Sequence, residues 1–414
     1  MGQNKYLKMK SDIHPYYYAN DFLLNVGLNS FVKLNSIQQD VVLSSDGRSY
    51  EEVYRYIIER YEQEDNEETK NVFKKLVNNL CEEGFIEQLP IENCEAMKCM
   101  GEQGRTYPWW LIVELTSMCN MRCRHCYRDA KEKGTMLEFK IFEDIIEAFK
   151  NKTPKIVLTG GEPLLHPRIN DMLSMAVENF DTYVLTNASL LENINVQNLK
   201  QIKQLQISLY GYNDLFFSDF TGQNLYDRTI KNIERAVGYL GEKVVVTVII
   251  TKKNVNNLEE YISKLISLGV SSMMFSLSVP IGRMGEYKQE FSFEKDELMM
   301  LLNEINEYRE KYRGKIQIAP FMDISKIKIR NSSNFGCQAG KYNVAITEKG
   351  MVVPCHMMSR DAFPKYWYED YIKDVMNGNQ KNYIDSVNRI GDILKQSNSE
   401  FGEIYCNGFC DVGR

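Results

Sequence analysis

Cys119-Asn-Met-Arg-Cys123-Arg-His-Cys126 is the stretch from which the rest of the chain can be placed. It sets three cysteines at C-x3-C-x2-C spacing, just after the apolar run Trp109 to Val113. Thiolates this close converge on one point, so they read as metal ligands rather than as a disulfide framework. Three is one short of the four that usually hold an iron–sulfur cluster. A cube held by three cysteines leaves one iron open for a small ligand. The competing reading is a structural zinc site or a chance spacing, and a second motif downstream weighs against it.

Working outward, strands and helices alternate on the C-terminal side. Strands are expected at Leu111–Leu115, Lys155–Leu158, Thr182–Leu185, Gln204–Leu209, Val244–Ile250 and Ser272–Leu277. Between and after them lie helical stretches at 139–149, 169–177, 196–202, 229–239, 258–268 and 295–312. Repeated βα units imply a parallel sheet with helices outside. After the second strand comes Thr159-Gly160-Gly161-Glu162-Pro163. Paired glycines allow backbone to approach a ligand closely, and Glu162 supplies a carboxylate.

The cysteine spacing followed by Gly-Gly-Glu-Pro resembles the radical S-adenosylmethionine (radical SAM) enzymes. The resemblance implies an α/β fold, a partial (β/α)6 barrel over residues 108–313, with its site at the carboxyl ends of the strands. It implies a [4Fe-4S] cluster on Cys119, Cys123 and Cys126, with SAM on the open iron. It implies SAM contacts from Gly160, Gly161, Glu162 and Pro163, with Glu162 receiving the SAM ammonium. His125 occupies the family's aromatic position near the adenine; loop packing is its plainer reading. Asn187, after the third strand, and Ser208, in Ile207-Ser-Leu-Tyr-Gly211, match positions that meet the ribose or carboxylate. Phe220-Thr-Gly222 matches a loop of peptide-modifying members. Arg283, in Pro280-Ile-Gly-Arg283, is placed to pair with a carboxylate of SAM or substrate. Lys252 and Lys253 read as a solvated pair. The radical comes from the cofactor, and no side chain is assigned a catalytic step.

Residues 1–90 form a separate unit. Tyr16–Tyr18 and Phe31–Leu34 read as short strands, and Ser49-Tyr-Glu-Glu52 as a capping box. Its helix presents Val53, Tyr54, Ile57, Ile58 and Tyr61 on one face. A second helix from about Asn71 ends at Gly84, and Phe85–Leu89 returns as a strand. The pattern is winged-helix-like, but residues 1–100 carry 11 Lys/Arg against 17 Asp/Glu, a balance that argues against a phosphate backbone. It resembles the PqqD-like element that binds the leader of a precursor peptide at a sheet edge; a packing or dimerisation domain is the alternative. Residues 91–107, with Gly101 and Gly104, read as a linker.

Residues 314–414 carry Cys337, Cys355, Cys406 and Cys410. Two β-rich runs, 342–347 and 351–355, flank a Glu-Lys-Gly turn, giving C-x12-G-x4-C. This resembles the opening of SPASM and twitch domains, α+β extensions holding auxiliary clusters. With four thiols it fits the shorter, twitch-like form with one auxiliary iron–sulfur cluster, expected as [4Fe-4S]. Four thiolates suit structural zinc equally. His356 is a spare ligand candidate. Residues 368–395 read as a helical lid or packing layer. Cys81, Cys94 and Cys99 read as ordinary thiols.

Composition bounds the rest. A chain of 414 residues with net charge −6 has ample core and no extended basic face. No apolar run approaches the roughly 18 residues of a membrane helix, and Met1–Lys10 lacks a signal core. The expectation is a cytoplasmic enzyme that modifies a ribosomally made precursor peptide, with no nucleic acid or membrane partner. A flavodoxin or ferredoxin would supply electrons. An intramolecular cross-link is expected, thioether first and carbon–carbon second. The alternatives are a protein maturase of the formylglycine-forming type and a non-catalytic iron–sulfur sensor or scaffold.

Overall fold

The computed structural model describes residues 5–26, 31–90, 98–278, 282–319, 340, 342–354, 356 and 365–379. Cys94, Cys337, Cys355, Cys406 and Cys410 lie outside the described residues, as do residues 380–395 of the stretch 368–395 read as helical, whose first part is the helix Tyr368–Asn377. The chain divides into two compact units, residues 1–107 with 375–378, and residues 108–374 with 379–414.

Among the described residues, the first unit holds two small sheets and three helices. β1 (Tyr6–Met9) lies between β5 (Asp46–Ser49) and β6 (Ile86–Leu89), antiparallel to both. β2 (His14–Tyr18), β3 (Asp21–Asn25) and β4 (Phe31–Lys33) form an antiparallel meander with β4 at its edge. Helix α1 (Ser36–Ser44) is capped reciprocally by Asn35 and Gln38. α2 (Tyr50–Arg60) starts at the expected Ser49–Glu52 capping box. α3 (Glu67–Glu82) starts at Asn66, earlier than the apolar periodicity alone indicates, because the Asn66 side chain accepts from Thr69 N–H. Leu7, Phe22, Leu24, Val41, Val53, Tyr54, Phe73, Val77 and Ile86 fill one core between sheets and helices. Asp40, nearly buried, accepts hydrogen bonds from Arg60 and Tyr61 and so ties α1 to α2.

Part of the stretch expected as linker is ordered against this unit. β7 (Met100–Gly101) pairs parallel with β2, and Ala19 bridges Arg105. Gly101 has φ +72°, and a Cβ there would lie 2.1 Å from the Tyr17 carbonyl oxygen. The glycine read as a linker signal is instead what lets the two backbones meet.

Among the described residues, the second unit forms a nine-stranded sheet flanked by helices. The six expected strands appear as β8 (Trp110–Glu114), β9 (Lys155–Thr159), β10 (Asp181–Thr186), β11 (Gln204–Leu209), β12 (Val244–Ile250) and β13 (Ser272–Leu277). They are parallel and stand in chain order. β14 (Gln317–Ala319) extends the sheet beyond β13. On the far side, β15 (Asn343–Ile346) runs parallel to β8, and β16 (Val352–Val353) returns antiparallel. The hairpin read from the sequence therefore joins the sheet at its first strand. Helices α4 (Phe139–Phe149), α5 (Ile169–Asn179), α6 (Val196–Gln201), α8 (Tyr226–Leu240) and α9 (Leu258–Ser267) fall where periodicity places them. Phe220 and Thr221, expected in a loop, instead end a further helix, α7 (Asp214–Thr221), capped by the Asn213 side chain on Phe216 N–H and closed by Gly222 in the left-handed region. Lys252 and Lys253 pair with Glu297 and Glu290 rather than with solvent alone. Among the described residues, no helix is long and apolar enough to cross a membrane.

Residues of α4 show how the sheet is covered. Phe142, Ile145, Ile146 and Phe149 recur at helical spacing and are all buried. Phe142→Ala is expected to lower the unfolding free energy of this unit by about 3–5 kcal/mol, the usual cost of emptying a large buried site. Urea titration of the full chain measures it. A change within experimental error would mean that α4 is not packed as described.

Candidate active site

The loop from β8 to α4 carries the three cysteines, and strand-end loops hold it on three sides. The first is the glycine turn after β9. Gly161 N–H donates to Thr116 O at 2.7 Å and Glu162 N–H to Met118 O at 2.7 Å. A Cβ on Gly160 would lie 2.4 Å from Thr116 O, and one on Gly161 would lie 2.1 Å from Met118 O. Neither position has room for a side chain. The second is α7, whose last carbonyls, Phe220 O and Thr221 O, accept from Arg124 and Arg122 N–H. The third is the segment after β13. Gly282 has φ +59° and approaches Tyr127 O so closely that a Cβ would lie 2.2 Å away. Arg283 N–H then donates to Cys126 O.

Glu162 sits at the centre of this arrangement and is fully buried. Oε1 accepts from Leu164 N–H at 3.0 Å and Thr186 Oγ1 at 2.7 Å, and Oε2 accepts from Asn187 N–H at 2.8 Å. A carboxylate can accept about four such bonds, so Oε2 retains capacity for one more donor. Burial nevertheless pushes its pKa up to about 7, against the three donors that pull it down. Pro163 opens a short 3-10 turn for which Glu162 is the cap.

Asn187 is turned inward by its neighbours. Its Nδ2 donates to Asn120 Oδ1 at 3.0 Å and faces Cys119 Sγ at 3.9 Å, while Oδ1 accepts from Ser189 N–H and Oγ. Next to it, Ala188 holds φ +58°, as Asp129 after the cysteines holds φ +49°. Non-glycine residues in this region store strain that the surroundings must offset. Ser208 is half-buried near the end of β11, two residues before Tyr210.

His125 is buried, stacked on Phe220 at 4.8 Å between ring centroids with planes 9° apart, and tilted against Tyr210 at 4.8 Å. Its Nδ1 has no hydrogen-bond partner among the described residues. Burial, with Arg283 nearby, lowers its pKa to about 3, so the ring is neutral.

Arg283 differs from its expected role. Its guanidinium donates to Cys123 O at 2.8 Å and Ala130 O at 2.6 Å and pairs with Asp129 at 2.8 Å. Those donors fasten the cysteine loop to itself, which leaves the side chain committed to structure rather than aimed at a ligand carboxylate. A sequence pattern cannot show this, because the partners are 153 and 160 residues away.

The three thiols suit a cluster by their environment. Cys119 and Cys123 are buried, and burial raises both thiols, Cys119 to about 12. Met121 N–H points at Cys119 Sγ and Ala130 N–H at Cys126 Sγ, each at 3.4 Å. Amide donors aimed at sulfur stabilise thiolate charge once iron is bound, and loading must release protons. Among the described residues, no three His, Cys, Asp or Glu side chains converge as ligands of one ion.

Comparison with known proteins gives a family match and several similar chains. Residues 113–265 match the family model described as Radical SAM superfamily. The antilisterial bacteriocin subtilosin biosynthesis protein AlbA of Bacillus subtilis is 23% identical over 365 residues, covering 85% of this chain and 79% of AlbA. Among solved structures, Streptococcus suis SuiB bound to S-adenosylmethionine superposes with a TM-score of 0.66 at 16% identity, covering 98% of this chain and 96% of SuiB. SuiB bound to its precursor peptide SuiA gives 0.64 at 17% identity, covering 89% and 88%.

The Glu162 carboxyl gives a pH signature. Its folded pKa of about 7 lies above the ordinary 4.5. Between those values the folded chain keeps a proton that the unfolded chain has released. Stability from this group is therefore fullest at low pH, falls as pH rises through that window, and is flat above it. Glu162→Gln removes the slope. The stability of wild type relative to this variant, in metal-free protein, is expected to fall by on the order of 3 kcal/mol between about pH 5 and about pH 8. Equal differences at both ends, by urea titration, would contradict it.

Proposed function

With a radical SAM domain over residues 113–265 as the premise, we propose that this chain modifies a ribosomally made precursor peptide. The observation that carries the radical chemistry is the docking of the Gly160-Gly161-Glu162 turn onto the three-cysteine loop. Cys119, Cys123 and Cys126 would hold a [4Fe-4S] cluster, which once reduced would supply the one-electron chemistry for reductive cleavage of SAM. The chain's own residues bind and orient. Glu162 offers its remaining acceptor site to the SAM ammonium, and Asn187 and Ser208 stand at the neighbouring strand ends. His125 and Phe220 give an apolar wall, and the buried loop excludes water that would quench a radical.

Peptide as substrate is supported by the relatives. AlbA is named for bacteriocin biosynthesis and SuiB is seen with a precursor peptide. The first unit supplies a reception site that the barrel does not need for SAM. Just after β4, Leu34 N–H donates to Phe22 O, so by antiparallel alternation Lys33 turns its own N–H and C=O away from β3. No strand among the described residues pairs with that edge. A leader laid there as a further strand gains main-chain bonds that do not depend on its sequence. This is the PqqD-like role for residues 1–90. We assign residues 314–414 the twitch-like role, with one auxiliary cluster on Cys337, Cys355, Cys406 and Cys410. The product we favour is a thioether cross-link, with a carbon–carbon link next, and a flavodoxin or ferredoxin as electron donor.

Two experiments check this reading. Anaerobically reconstituted chain with dithionite is expected to convert SAM to 5′-deoxyadenosine, and the Cys119→Ala/Cys123→Ala/Cys126→Ala variant to lose this while remaining folded. Cleavage that survives in the variant would overturn the cluster assignment. Lys33→Pro removes one outward N–H and leaves the backbone pairing to β3, giving up only the exposed Lys33–Asp21 ion pair. It is expected to weaken precursor binding up to about tenfold, the worth of a backbone hydrogen bond or two, with SAM cleavage unchanged. Calorimetry reads the affinity, and an unaltered affinity would rule out β4 as the docking edge.

A further inference from the structure

Two residues beyond the last cysteine of the loop, a buried charge cluster ties three distant parts of the second unit together. Arg128 has a side chain only 7% exposed and pairs through Nη1 with Glu114, which is 1% exposed and ends β8. Through Nη2 it reaches Glu348 Oε2 at 3.3 Å, and Glu348 is 2% exposed. Glu348 belongs to the turn between β15 and β16, 220 residues away in sequence. The same hairpin meets the loop a second time, where the His356 ring stands edge-on to Tyr127 at 6.0 Å between centroids. Its turn is itself fixed: Gly350 has φ +79° and Thr347 N–H donates to Met351 O.

Burying a guanidinium between two carboxylates is costly unless the geometry is used. A surface hairpin that merely extended a sheet would need no such group. We propose that Arg128 is a positioning residue, held between Glu114 and Glu348 so that the β15–β16 hairpin fixes the exit of the three-cysteine loop. The hairpin is thereby part of the radical site's framework rather than an appendage to it. Arginine suits the task because its planar fork spans two carboxylates at once, which a lysine ammonium does not.

The proposal rests on the radical SAM reading only for its consequence, and its test is independent of turnover. Hydrogen–deuterium exchange on the full, reconstituted chain compares wild type with Glu348→Gln, which keeps size and removes charge. The expected result is faster exchange in residues 117–131, by about tenfold or more, with β10 to β12 unchanged. SAM affinity, read by calorimetry, is expected to weaken alongside. If Glu348→Gln does not fold, Arg128→Lys reads the same segment, with a smaller rise expected. Exchange in 117–131 equal to wild type in a folded variant, or acceleration spread evenly over the sheet, would overturn the proposal. Failure of the radical SAM reading would instead show as absence of SAM cleavage in wild type, with the exchange pattern unaffected.

Discussion

The close approach of two backbones, Gly160-Gly161-Glu162 against Thr116 to Met118, is the constraint on which the site depends. Because neither glycine has room for a Cβ, the turn after β9 can lie flat on the cysteine loop and donate two N–H groups to it. That docking carries Glu162 inward, where Thr186 and Asn187 from the end of β10 reach its carboxylate. Asn187 in turn faces Cys119. One contact thus links the first three strand ends, and the parallel order of the sheet brings them side by side.

The polar groups collected there work against stability. A carboxylate taken out of water costs free energy even with three donors, and its raised pKa expresses that cost. Thiols in apolar surroundings resist ionisation for the same reason. Left-handed Ala188 and Asp129 add backbone strain on either side of the loop. Cations would relieve the electrostatic part: an ammonium on Glu162, iron on the thiols.

Much of this was legible in the chain because short motifs fix their own geometry. Three cysteines within eight residues, and two glycines before a glutamate, need no tertiary information to be paired with a chemistry. The strands Gln204–Leu209, Val244–Ile250 and Ser272–Leu277 have the expected bounds because each is an apolar run closed by turn residues. What escaped was non-local or masked by composition. The aromatic-rich stretch Leu215-Phe-Phe hid α7, although Asn213 and Gly222 signal its two ends. Arg283 read as a ligand-facing cation because its partners, the carbonyls of Cys123 and Ala130, carry no sequence mark. Gly101 read as linker because a glycine that permits close approach and one that permits flexibility look alike in a sequence.

The central claim is that the three-cysteine loop and the glycine turn form one pocket, with SAM bridging them. Electron paramagnetic resonance of the reduced, reconstituted chain tests it most directly, with and without SAM. If SAM binds the open iron, its addition should shift the cluster signal, and Gly161→Ala should abolish the shift while retaining the signal. A spectrum unchanged by SAM in wild type, or a shift that persists in Gly161→Ala, would contradict it.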